Sequence, residues 1–153
     1  MILFCDTSAL LKLYLVEAQS DAVKGLAAEA EAVAVCRIAW AEAYAALSRR
    51  AREVPADALS IGQAKQALAA DWSHYLIVEV TQAVVELAGE FADTFALRGY
   101  DSVQLAAAYQ TKQVSRLPVS FSCFDARLNK AAGVLGMDTP IVSGQSPLRL
   151  QTE

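Results

Sequence analysis

Ile2-Leu3-Phe4-Cys5-Asp6-Thr7-Ser8-Ala9-Leu10-Leu11-Lys12-Leu13-Tyr14 decides how the rest of the chain is read. Four apolar residues in a row make a short β-type run. Asp6-Thr7-Ser8 is helix-start chemistry, because oxygen-bearing side chains accept from the first free amides of a helix. Leu10, Leu11 and Tyr14 then recur at helical spacing.

The alternation continues outward from that opening. Residues 21–31 are alanine-rich and read as helix, 32–36 as a second strand, and 38–52 as helix. In that last stretch Ile38, Ala41, Glu42 and Ala45 share one face at a period of 3.6. Pro55 suits the first turn of a helix running to about residue 71. Residues 76–80 have the β-branched character of a short strand. Thr81 is an expected N-cap, followed by Val84, Ala88, Phe91 and Phe95 on one amphipathic stripe, with Gly99 as the expected stop. A helix over 101–113, a strand over 119–124, a helix over 125–135 and a short strand over 140–142 complete the order. Strands alternating with helices predict an α/β fold: a central, mostly parallel sheet of about four to five strands flanked by helices on both faces. One domain is expected over 1–142, with 143–153 as a C-terminal tail.

The 153 residues are 55 % hydrophobic and 20 % charged, which suffices for a sizeable core and excludes a disordered chain. No apolar run approaches the roughly 20 residues of a membrane span. The first residues lack a basic leader and reach Asp6 almost at once, so no signal peptide is expected. Cys5, Cys36 and Cys123 are three in number, without metal-ligand spacing. They read as buried free thiols in a reducing, cytoplasmic setting.

Four carboxylates stand apart from charged stretches: Asp6, Glu42, Asp101 and Asp125. Asp6 and Asp125 each close a strand, Asp101 opens a helix, and Glu42 lies on a helix that follows a strand. In parallel sheets, ligands bind beyond the carboxyl ends of the strands, an edge all four are placed to reach. Asp6, Asp101 and Asp125 each have a second reading as plain helix caps. Glu42, expected in mid-helix, does not. Carboxylates gathered in partly apolar surroundings need a cation, and a hard divalent ion prefers oxygen ligands.

Other chemistry finds little support. His74 is the single histidine, which rules out a histidine-rich metal site. There is no G-x-S-x-G elbow, no phosphate-cradling G-x-x-x-x-G-K-[ST] and no G-x-G-x-x-G. Trp40, Trp72 and Tyr75 read as packing residues. The net charge of −4 is unusual for a nucleic-acid binder. Arg49, Arg50 and Arg52 form the one local basic cluster, read either as a solvated helix end or as a phosphate-contacting patch.

Taken in order, these acids and their flanks resemble the PIN-domain family of metal-dependent nucleases, and within it the VapC-type toxins of bacterial toxin–antitoxin pairs. The resemblance rests on Asp6-Thr7-Ser8-Ala9-Leu10-Leu11-Lys12-Leu13-Tyr14, on Arg98-Gly99-Tyr100-Asp101-Ser102-Val103-Gln104-Leu105-Ala106-Ala107-Ala108, and on Phe121-Ser122-Cys123-Phe124-Asp125-Ala126-Arg127-Leu128-Asn129-Lys130-Ala131-Ala132. Glu42 sits in the interval of the family's second acid. Two positions depart from the pattern. Cys123 stands where relatives often have Ser or Thr, and Gln104 where many have His.

The resemblance implies hydrolysis of RNA phosphodiester bonds with Mg²⁺ or Mn²⁺. It implies Asp6 and Asp101 as the principal ligands, Glu42 and Asp125 for a second ion or its waters, and Thr7 and Ser8 as supporting donors. Lys12, Arg49, Arg50 and Arg52 are the candidate phosphate contacts. A VapB-like antitoxin and a homodimer are the implied partners. The alternatives are a non-catalytic PIN-like binding module and an aspartate-based phosphatase. The phosphatase reading wants a second Asp two residues after Asp6, where this chain has Ser8.

Overall fold

The computed structural model describes residues 1–141. Val142 of the expected last strand, and the expected tail, lie outside them. The elements run β1 (Ile2–Cys5), α1 (Thr7–Lys12), α2 (Ser20–Glu29), β2 (Ala32–Cys36), α3 (Ala39–Glu53), α4 (Ala58–Asp71), β3 (Leu76–Val78), α5 (Gln82–Phe95), α6 (Gly99–Ser115), β4 (Val119–Ser122) and α7 (Ala126–Val134). Short 3₁₀ turns at Pro55–Asp57 and Trp72–His74 bracket α4.

Four strands form one parallel sheet in the order β3-β2-β1-β4. β1 is central and fully buried, which is why Ile2–Cys5 reads as an unbroken apolar run rather than an alternation. Its two faces feed two cores. Ile2 and Phe4 point into a layer with Val84, Ala88, Leu105, Ala108, Phe121 and Leu128, which α5, α6 and α7 cover. Phe4 and Phe121, neighbours in register, stack at 5.8 Å between centroids. Leu3 and Cys5 point the other way, to Leu10, Val23, Val35, Ala39, Ala43 and Leu68 of the α1–α4 side. A smaller cluster of Leu47, Ile61 and Ala64 closes the α3–α4 hairpin against Leu11 and Tyr14.

Several local expectations are overturned. The stop of α5 is not Gly99 but Ala96, which takes the left-handed conformation at φ 53°. Gly99 instead opens α6, two residues earlier than expected. The buried stripe of α3 is Ala39, Ala43 and Leu47; Ala41 and Ala45 face solvent. Packing against β1 and α4 outweighs the apolar count on the other face. The expected strand at 140–142 has no strand at Pro140 or Ile141. β4 instead gains a single parallel bridge, Ser120 to Asp138, with Phe121 N–H donating to the Asp138 carbonyl at 2.7 Å. The three cysteines are buried and free. No helix among the described residues is long and apolar enough to cross a membrane.

Candidate active site

The order β3-β2-β1-β4 reverses direction at β1. The chain leaves β1 for β2 on one side and reaches β4 on the other. The carboxyl ends of β1 and β4 therefore flank a topological switch point, where such sheets form their binding crevice. Register holds Cys5 beside Ser122, and Asp6 N–H donates to the Ser122 carbonyl at 3.1 Å. Asp6 follows β1 and Asp125 follows β4.

Asp6 is 7 % exposed and serves as the N-cap of α1. Its Oδ1 accepts from Ala9 N–H at 3.0 Å and from the Ser8 hydroxyl at 2.7 Å. Burial pushes its carboxyl above the ordinary carboxylate range, and the charge of Asp101 pushes the same way; hydrogen bonds from Ser8, Ala9 and Cys123 offset part of this. Asp125 caps α7, accepting from Leu128 N–H at 2.9 Å, and faces solvent. Asp101 is no cap. It is the third residue of α6, and the cap position is Arg98. Its carboxyl is also raised, by burial first and then by repulsion from Asp125, with Arg98 working against both. Asp6 thus feels Asp101, and Asp101 feels Asp125.

Glu42 stands apart from that series. It lies in the first turn of α3 rather than in mid-helix, with its N–H donating to the Ile38 carbonyl at 3.1 Å. Oε1 accepts from the Thr7 hydroxyl at 3.0 Å and from Gln104 Nε2 at 2.9 Å, and the same Nε2 lies 3.2 Å from Thr7 Oγ1. Gln104, 3 % exposed and one turn after Asp101 on α6, thus ties three elements together. Its own Oε1 is buried without a partner. The sequence marks Gln104 only as a departure from relatives. Its spacing of three from Asp101, on the same helical face, is the signal that singles it out.

Cys123 fills the position between the two strand-end acids. Its sulfur accepts from Asp125 N–H at 3.2 Å, and burial, with the charge of Asp6 adding, keeps the thiol protonated. Ser122 offers no substitute: its hydroxyl is buried on the other side without a partner. Of the basic candidates, Lys12 pairs with Glu17 at 2.9 Å and lies over the Phe124 ring. Arg50 pairs with Glu17 at 2.8 Å, and Arg49 with Glu53 at 2.9 Å; Arg52 is exposed in the last turn of α3.

Two cavities flank the acids. One of about 420 Å³ contains Arg98, Asp101, Asp125 and Arg127. Another of about 600 Å³, largely apolar, lies between the starts of α3 and α6, with Trp40, Trp72 and Tyr100 on its walls. Trp40 stacks on Tyr44 at 4.8 Å and meets Trp72 edge-on at 5.1 Å, so these indoles are packed as well as cavity-facing.

An all-oxygen set of this kind suits a hard divalent cation. Among the described residues, no three acidic, histidine or cysteine side chains converge into a ready cage.

The PIN domain family model matches residues 3–134. This chain belongs to the PIN-domain family. Two curated relatives of this PIN domain, Ribonuclease VapC45 and Ribonuclease VapC49 of Mycobacterium tuberculosis (strains CDC 1551 / Oshkosh and ATCC 25618 / H37Rv), are each 30 % identical over 135 residues, covering 88 % of this chain and 92 % of theirs. Its fold is similar to a toxin–antitoxin complex from Klebsiella pneumoniae, with TM-score 0.62, 20 % identity, and 93 % and 99 % of the two chains covered. It is also similar to VapBC2 from Rickettsia felis bound to a DNA fragment from their promoter, with TM-score 0.60, 14 % identity, and 85 % and 92 % covered.

Proposed function

We propose that this PIN domain is a metal-dependent endoribonuclease, the toxin of a toxin–antitoxin pair. The observation that carries the reading is the series Asp6, Asp101, Asp125 at the β1–β4 switch point, each carboxylate within electrostatic reach of the next. It is supported by relatives named ribonucleases over most of the chain. Repulsion within such a series raises the energy of the ion-free site and favours a cation there.

Asp6 and Asp101 are the proposed ligands of Mg²⁺ or Mn²⁺, with Asp125 and Glu42 holding a second ion or its waters. The ion, when bound, lowers the pKa of the attacking water and offsets charge on the phosphoryl oxygens. The protein's own part is to hold the ligands. Ser8 and the Ala9 amide fix Oδ1 of Asp6, which leaves Oδ2 outside the cap. Thr7 and Gln104 fix Oε1 of Glu42. Such outer contacts orient ligands and set their basicity. A VapB-like antitoxin and a second copy of this chain are the proposed partners, the first by likeness to the toxin–antitoxin complexes above and the second by the family resemblance.

The test is cleavage of a structured RNA by the purified chain. Cleavage is expected with Mg²⁺ or Mn²⁺, and none with chelator, with Asp6→Asn or with Asp101→Asn. Undiminished cleavage by both variants overturns the assignment. Release of phosphate from monoesters without RNA cleavage points to a phosphatase.

A further inference from the structure

A chain of net charge −4 that handles RNA needs local cations where the strand meets the acids. The obvious candidates are engaged elsewhere. Lys12 and Arg50 share Glu17, and Arg49 is held by Glu53 on its own helix. Arg52 is ten residues past Glu42 on α3, roughly 15 Å along the axis.

Arg98 and Arg127 are placed differently. Both line the cavity of about 420 Å³ that holds Asp101 and Asp125, both are exposed, and neither forms an ion pair among the described residues. They come from separate elements. Arg98 precedes α6, on the turn that reverses at Ala96; Arg127 is the second residue of α7, just after the cap Asp125. Two guanidiniums and two carboxylates sum to zero in this cavity. Both guanidiniums face solvent beyond ion-pair distance of these carboxylates, so they are open to an anion whether or not a cation is bound. A guanidinium offers planar, forked donors that match phosphate oxygens.

We propose that Arg98 and Arg127 clamp a backbone phosphate of the RNA strand, beside the one that is cut. The proposal rests on the ribonuclease reading and adds to it which residues hold the substrate. The grip is to the backbone, so it positions the strand without reading its sequence.

The experiment measures binding of a labelled single-stranded RNA to the full chain by anisotropy, from low to physiological salt, in chelator and in the Asp6→Asn background. Each phosphate contact contributes about 0.7 to the slope of log K against log salt. Arg98→Ala and Arg127→Ala are each expected to lower the slope by about that amount, and Arg98→Lys to restore it. Arg49→Ala and Arg52→Ala are expected to leave it unchanged. Unchanged slopes in Arg98→Ala and Arg127→Ala, while the native chain cleaves RNA in Mg²⁺, overturn the clamp alone. A native chain that neither binds nor cleaves RNA overturns the ribonuclease reading and the clamp with it.

Discussion

Replacing the amide of Gln104 by a carboxylate removes the donor to Glu42 and Thr7 and turns the contact with Glu42 from attractive to repulsive. In the native chain Nε2 donates to Glu42 Oε1 at 2.9 Å in a nearly closed setting. Gln104→Glu keeps the shape but sets a second acid against the first. At about 4 Å and an effective dielectric near 20, two unit charges repel by about 4 kcal/mol. Protonation sets a ceiling. Holding one ordinary glutamate neutral at pH 7.5 costs about 4.4 kcal/mol, from a pKa of about 4.3 and 1.36 kcal/mol per pH unit. The two figures agree, so a loss of about 4 kcal/mol is expected at pH 7.5 in chelator. For a domain of this size that is a fall in Tm of about 8–16 °C. Gln104→Leu removes the donor but also the unpartnered Oε1, and is expected to cost only about 1 kcal/mol. Differential scanning fluorimetry from pH 5 to 8 separates the two. The loss in Gln104→Glu should shrink as pH falls, because one proton relieves it, and on adding Mg²⁺. A Gln104→Glu chain as stable as Gln104→Leu at pH 7.5 in chelator would falsify the placement of this amide against Glu42.

Two further outcomes follow from the geometry. Asp6 has a folded-state pKa raised by burial and by Asp101, so its contribution to stability is full below the ordinary carboxylate value and is lost as pH rises through the shifted one. Asp6→Asn keeps the cap and removes the charge; in chelator at neutral pH it should melt higher than the native chain, a gain that Mg²⁺ narrows and that a lower Tm would contradict. Ala96 sits at φ 53°, a conformation costly for any residue with a Cβ. Ala96→Gly is expected to gain about 0.5–1 kcal/mol in urea unfolding, and a loss would show that its turn is not strained.

What was legible in the sequence was whatever depends on near neighbours. The unbroken run Ile2–Cys5 marks a strand buried on both faces, and Thr81 with Val84 marks a helix start that the structure places at Gln82, with Thr81 Oγ1 accepting from Val84 N–H. Gly99 misled because glycine is the usual helix stop, whereas a left-handed alanine leaves no mark in sequence. The α3 face misled because Ala39 and Ala43 are chosen by what they pack against, not by hydrophobicity alone. The role of Gln104 is hidden for a similar reason: its partners Thr7 and Glu42 lie 97 and 62 residues away. Arg98 and Arg127 carry no mark in the sequence, because which cations are left outside ion pairs is visible only once both ends of each pair are placed. Arg49 and Arg50 are paired with Glu53 and Glu17, partners the sequence alone does not place beside them.

Asp6 holds the first helix and, under the proposed chemistry, the ion as well. These two duties tolerate different replacements. A descendant that abandons hydrolysis is free to change Asp101, which caps nothing. At position 6 it still needs an oxygen for the Ala9 amide, so asparagine, serine or threonine should succeed there and alanine should not. Inactive offshoots of this lineage are therefore expected to carry a polar residue at position 6 and almost anything at 101, a record of which acid the fold itself still requires.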